Sequence, residues 1–193
     1  MSSVNEPATV SSFATNETLR KTIHIGVGFG AIALKYIPWR YAALIAAAAI
    51  VANWLLLHRL VGRRVARHER GWDAGIVFYP AAVCLLILAF NWHIEMAAVA
   101  WVILAFGDGF ATLIGRAMPV APLPWNPQKS WGGTFAFLLF GGAAAFAIAA
   151  LFGGKPPAEA IVFALLASAI AESLPLGLND NVVVPLEIGR AHV

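Results

Sequence analysis

Ionisable side chains inside an apolar segment are costly, so the few that a chain keeps there are candidates for function. Three stand out here. His24 follows Arg20-Lys21 at the start of one apolar run, Asp108 lies within Phe106-Gly107-Asp108-Gly109-Phe110, and Glu172 stands near the end of another run. An acid flanked by glycines suits a divalent cation that bridges carboxylate and nucleotide phosphates. Arg116, two helical turns after Asp108, falls on roughly the same helical face. The competing reading is a structural ion pair of Asp108 with Arg116 or Lys129.

The most polar stretch is Pro122-Leu123-Pro124-Trp125-Asn126-Pro127-Gln128-Lys129-Ser130-Trp131-Gly132-Gly133-Thr134. Glycines let backbone come close to a ligand, and free N–H groups at a helix start suit a phosphate. Lys129 adds a point charge, and Ser130 or Thr134 a hydroxyl. The plainer alternative is a helix N-cap made by Ser130 or Thr134, with Lys129 meeting lipid phosphates. A third cluster, Glu172-Ser173-Leu174-Pro175-Leu176-Gly177-Leu178-Asn179-Asp180-Asn181, places two acids and two amides around a helix break. Its plainer reading is an Asx-rich turn.

The elements that must hold these residues follow from composition. The 193 residues are 60% hydrophobic and 12% charged, about half the charge of a soluble domain. One core of this length cannot hide so much apolar surface, which predicts lipid as solvent. The net charge of +3 with segregated basic residues argues against a nucleic-acid partner. Cys84 alone excludes a disulfide framework or a Cys-based zinc site. Apolar runs at about 22–37, 39–58, 74–91, 93–114, 133–152 and 158–176 predict an all-α polytopic transmembrane bundle of six spans. Nine basic residues (Arg20, Lys21, Arg59, Arg63, Arg64, Arg67, Arg70, Arg116, Lys129) fall on one side of such a bundle. Lys35, Arg40 and Lys155 fall on the other. The positive-inside rule then puts the N-terminus and all three polar clusters at the cytoplasmic face of an integral membrane protein. Trp39 and Trp92 belong to the outer aromatic belt, and Trp72, Trp125 and Trp131 to the inner one.

Residues 1–19, polar and without apolar period, are expected to be a disordered cytoplasmic leader. Val182-Val183-Val184-Pro185-Leu186 reads as the opening of a seventh, truncated span, which leaves 20–186 as the transmembrane domain. Residues 187–193 (Glu-Ile-Gly-Arg-Ala-His-Val) read as a translated sequencing adapter. Gly26-Val27-Gly28-Phe29-Gly30 has the letters of a dinucleotide-binding pattern, but no strand precedes it, so it is read as helix packing. Gly141-Gly142 and the Ala42–Ala52 run are read the same way. The basic run 63–70 is taken as orientation charge with lipid contact, and His93 and Glu95 as a solvated outer hairpin.

Taken in order, the polar clusters resemble the phytol kinase/dolichol kinase family of CTP-dependent lipid-alcohol kinases. The core of that family is itself similar to phosphatidate cytidylyltransferases. The residues that carry the resemblance are Arg20-Lys21-x-x-His24 and Gly107-Asp108-x-x-Ala111-x-x-x-Gly115-Arg116. Then come Asn126-Pro127-x-Lys129-Ser130-Trp131-x-Gly133-Thr134 and Glu172-x-x-Pro175-x-Gly177-x-Asn179-Asp180-Asn181. The resemblance implies transfer of the CTP γ-phosphoryl group to the hydroxyl of a lipid alcohol, with Mg²⁺. It assigns Asp108 and Asp180 to the metal, and Asp180 or Glu172 as the second acid. Lys129, Ser130, Thr134 and Arg116 would hold phosphates, Asn126 and Asn181 would orient them, and Arg20, Lys21 and His24 would complete the rim. Two positions depart from the family pattern: Gly132 stands where the family has Glu, and Asn179 replaces the first Asp of Asp-Asp-Asn. Two other readings stay open: a cytidylyltransferase making CDP-diacylglycerol, and a non-catalytic membrane protein. The acceptor lipid and the oligomeric state leave no signature in the sequence.

Overall fold

A computed structural model describes residues 8–57, 74–118 and 121–175, which form a helical bundle with one small hairpin. Helix α1 (Ala8–Gly28) runs on as a tighter 3₁₀ segment, Phe29–Lys35, and stops ahead of Pro38, a residue that disfavours helix just before it. Helix α2 (Trp39–Ala52) starts directly after that proline and ends in a wide π turn, Asn53–Leu57. Helix α3 spans Ala74–Ala89, and α4 spans Ile94–Ala117 with a π segment at Ile103–Asp108. A two-stranded antiparallel hairpin, β1 (Pro122–Leu123) and β2 (Asn126–Ser130), pairs Pro122 with Ser130 and Leu123 with Asn126. Helix α5 (Trp131–Leu151) carries its own π segment at Phe137–Gly141. Helix α6 (Ala158–Ser173) begins after Pro157 and ends before Pro175.

Five of the six expected runs coincide with helices to within a few residues. The first differs. Its helix reaches back to Ala8, so residues 8–19 are helical where a disordered leader is expected. No Gly or Pro interrupts Ala8–Ile25, and Glu17 is buried in an i,i+3 ion pair with Arg20 at 2.6 Å, an arrangement that supports a helical turn. The expected seventh span, the 187–193 tail and the basic run 63–70 lie outside the described residues.

Helix α4 is the centre of the bundle. Ala97 to Ala105 are all buried, and α1, α3, α5 and the α5 π segment pack around it. The outer faces carry Leu44, Ile45, Leu85, Phe135 and Ile170, each well exposed. Such an apolar exterior suits lipid rather than water. Among the described residues two helices, α4 and α5, are long and apolar enough to cross a membrane.

Chain direction alternates from helix to helix. At one end, the Lys35 ammonium donates to the Leu151 carbonyl (2.6 Å), joining the end of α1 to the end of α5. There α5 stops at Gly153 and Gly154, both at positive φ. The Gly154 N–H bonds the Ala149 carbonyl, closing the last turn as glycine caps do. The opposite end gathers α1 around Lys21 and His24, the last turns of α4, the hairpin, and the end of α6.

The α1–α4 crossing depends on missing side chains. A Cβ on Gly109 would lie 2.4 Å from Ile25 Cγ1, and one on Gly28 would lie 2.5 Å from Ala105 Cβ. Gly28 and Gly30 therefore act as contact surface, as read from the sequence, while Gly26 meets nothing within 4 Å. Gly109→Val is expected to lower stability by about 1–3 kcal/mol through overpacking. Gly26→Ala should leave it unchanged or slightly raised. Unfolding midpoints of the two variants in detergent test this, and equal midpoints would refute the crossing.

Candidate functional site

Two charged pairs organise the polar end of the bundle. In the first, the Lys21 ammonium on α1 donates to Asp108 Oδ2 on α4, with Asp108 fully enclosed and Lys21 nearly so. His24, one turn after Lys21, brings Nε2 to 4.0 Å from the same carboxylate oxygen. Asp108 sits at the end of the α4 π segment, a widened turn often found at functional positions. The sequence alternatives for a structural partner of Asp108 were Arg116 and Lys129. Lys21 takes that place, because α1 comes closest to α4 where Gly109 lacks a side chain. Arg116 is exposed near the end of α4. Arg20 is engaged by Glu17.

Two residues with no part in the sequence pattern complete this cluster. Tyr79 on α3 stacks on the His24 imidazole with ring centroids 3.7 Å apart, and its hydroxyl donates to the His24 carbonyl at 3.2 Å. That hydroxyl also accepts from Trp101 Nε1 on α4 at 2.9 Å. One phenol thus ties α1, α3 and α4 together beside the ion pair. Its only signal in the sequence is a phenol within an otherwise apolar run, where a buried hydroxyl needs a partner.

The second pair joins the hairpin to α6: Lys129 donates to Glu172 Oε1. Two neutral bonds reinforce the junction. Asn126 Nδ2 donates to the Ser173 carbonyl (3.2 Å), and Trp125 Nε1 donates to Ser173 Oγ (3.3 Å). Asn126 Oδ1 accepts from the Gln128 N–H (3.3 Å), so both ends of that amide are in use. Ser130 is the N-cap of α5, its Oγ accepting from the Gly133 N–H at 3.2 Å, and Thr134 Oγ1 donates back to the Ser130 carbonyl. The capping alternative therefore holds for Ser130. Gly115 and Gly133 bring α4 and α5 together beneath this cap, since a Cβ on Gly133 would meet the Ala111 carbonyl at 3.0 Å.

The structure thus brings Lys21, His24 and Asp108 into one cluster, and Asn126, Lys129, Ser130, Thr134 and Glu172 into a neighbouring one. Lys129 is close enough to interact electrostatically with Asp108. Asp180 and Asn181 lie outside the described residues. Among the described residues no group of three His, Cys, Asp or Glu side chains converges. The two candidate acids that are described already face ammonium groups: Lys21 on Asp108 and Lys129 on Glu172. As they stand, these side chains do not fit a divalent-cation site, although Asp108 Oδ1 is buried without a hydrogen-bond partner.

Comparison with known proteins bears on what this end of the bundle serves. "Phytol kinase 1, chloroplastic" of Arabidopsis thaliana is 24% identical over 86% of this chain and 62% of its own length. "Probable phytol kinase 2, chloroplastic" of Oryza sativa subsp. japonica is 30% identical over the same shares. The chain is similar to these phytol kinases over most of its own length. "Probable phytol kinase, chloroplastic" of Triticum aestivum is 27% identical over 58% of the chain. The chain spans about three fifths of the length of the first two relatives. No protein-family model matches it, and no solved structure does.

The enclosed pair makes a stability prediction. Lys21→Met or Asp108→Asn alone strands the other partner and is expected to cost about 3–5 kcal/mol. The double variant should regain most of that loss. Unfolding free energies in a double-mutant cycle read this out; additive losses would show that the pair is not coupled.

Proposed function

We propose that this chain is a membrane-embedded lipid kinase that transfers the γ-phosphoryl group of CTP to the hydroxyl of phytol or a similar prenol. The observation that carries the reading is the convergence of three sequence-distant polar clusters at one end of an apolar bundle. Relatives named phytol kinase over most of the chain support it further. The proposal includes a six-span arrangement in the bilayer with this end in the cytoplasm. There a soluble nucleotide and an interfacial hydroxyl can meet, while the tail lies among the helices.

Phosphoryl transfer rests on positioning and charge neutralisation more than on covalent chemistry. In the proposal, Lys129 and Arg116 hold phosphate oxygens, and the cap at the start of α5 places backbone N–H groups beside them. Asn126 shapes the hairpin that carries Lys129. Asp108 fixes Lys21 and His24 in place at the centre of the positive field. Glu172 and Asp180 are the acids proposed to meet the acceptor. The acceptor oxygen bonds to the γ-phosphorus as the bond to the β-phosphate oxygen breaks, and the hydroxyl proton passes to one of these carboxylates. Mg²⁺ would come in with the phosphates of CTP and supply charge neutralisation there, since Asp108 and Glu172 are taken by Lys21 and Lys129.

The deciding assay uses the chain in nanodiscs with γ-labelled CTP or ATP and a panel of prenols. Label is expected to pass from CTP to phytol or another prenol. No labelled lipid would sink the kinase reading, and pyrophosphate release with phosphatidate would replace it by cytidylyl transfer. Lys129→Gln is expected to lower kcat/KM for CTP by about 10- to 100-fold, as loss of a charge-assisted contact worth about 1.5–3 kcal/mol.

A further inference from the structure

The two ion pairs at the polar end differ in one respect that matters for an anionic ligand. Lys21–Asp108 is sealed on both sides, with side-chain exposures of 3% and 0%. Lys129–Glu172 is lopsided, with the Lys129 side chain 26% exposed and that of Glu172 3%. A phosphate approaching from solvent therefore reaches the Lys129 side chain before the enclosed Glu172. The carboxylate occupies the position at Lys129 that a phosphate oxygen would take, since both are anionic oxygen acceptors for the same N–H donors.

We propose that Glu172 is an internal stand-in for phosphate, and that a phosphate group binds by displacing its carboxylate from Lys129. The inference rests on the kinase reading for its purpose, but on the ion pair alone for its geometry. The hairpin need not undock for the exchange. Asn126 and Trp125 hold it on Ser173 through neutral bonds that a phosphate leaves untouched. Exchange therefore moves one side chain on each partner and keeps the loop in register. Its consequence is a built-in coupling between sites. Lys129 becomes a phosphate ligand at the moment Glu172 is relieved of it, so the acid proposed to meet the acceptor hydroxyl gains basicity only when the donor is in place. The same contact weakens binding of any phosphate compound, because each must first compete with a tethered carboxylate.

The probe is inorganic tripolyphosphate, which carries the charge without base or acceptor, with the full chain in phosphatidylcholine nanodiscs. Glu172→Gln removes the competitor and keeps the shape, so tripolyphosphate should bind about 10-fold more tightly than to the native chain, within the usual range of site-to-site coupling. The Lys129→Gln/Glu172→Gln double variant should lose that gain. Carbodiimide labelling of the native chain, read by mass spectrometry, gives a second measurement that needs no variant to fold. Glu172 should become more reactive when tripolyphosphate is added. A parallel arm replaces tripolyphosphate with phosphatidylglycerol in the nanodisc, because a lipid headgroup offers the same chemistry. A rise in labelling in either arm supports the exchange and identifies the source of the phosphate. Unchanged Glu172 labelling in both arms, or a Glu172→Gln variant that binds no tighter, overturns it. Exchange without any transfer from labelled CTP would keep the anion site and discard the kinase reading; transfer without exchange would do the reverse.

Discussion

The ion pair between Lys21 and Asp108 is the constraint on which the rest of the polar end depends. Neither charge could be held alone inside an apolar bundle, since an unpaired buried ion costs several kcal/mol. The two must be neighbours, and this fixes how α1 lies on α4. The fit is made possible by Gly109 and Gly28, where any side chain would collide with Ile25 or Ala105. Once α1 is so placed, His24 faces the same carboxylate. Tyr79 and Trp101 then use their polar atoms on each other and on the His24 backbone.

The second cluster is built on a different principle. It uses helix ends rather than helix middles: the last residues of α6, the first turn of α5, and a hairpin between them. Helix ends carry unpaired backbone groups that need partners. Asn126 supplies one to the Ser173 carbonyl and Ser130 one to the Gly133 N–H. Several side chains expected to touch a ligand are therefore spent on structure in this arrangement. That narrows the ligand-facing chemistry to charges, chiefly Lys129 and the exposed Arg116.

Much of this was legible in the sequence, for identifiable reasons. Helix limits followed prolines and polar breaks: Pro38 before α2, Pro157 before α6 and Pro175 after it. The candidate residues stood out because charge is so scarce between positions 74 and 175. Pairing was not legible. Asp108 has cations two turns away on its own helix and in the following loop, yet its partner comes from a helix 87 positions earlier. Sequence spacing reports faces of one helix, not which helix lies opposite. The π segments at Ile103–Asp108 and Phe137–Gly141 were equally hidden, because one extra residue in a turn leaves no mark on an all-apolar run. Tyr79 and Trp101 were missed because an aromatic residue in an all-apolar run does not show which neighbour its polar atom will meet.

The glycine at position 132 takes on a sharper meaning beside the Lys129–Glu172 pair. An acid there, as in the family pattern, would stand on the first turn of α5, three residues from Lys129. In this chain that first turn carries no acidic residue, so the positive end of the α5 dipole is not offset by an adjacent carboxylate. The carboxylate against Lys129 comes instead from α6, across the hairpin. An acid on a neighbouring turn would belong to the same rigid unit as the cap. An acid on another helix can separate from Lys129 without disturbing Ser130 or Gly133. Neutralisation of Lys129 is thus a contact between elements in this chain, and only a contact between elements can report a bound anion to the far side of the site.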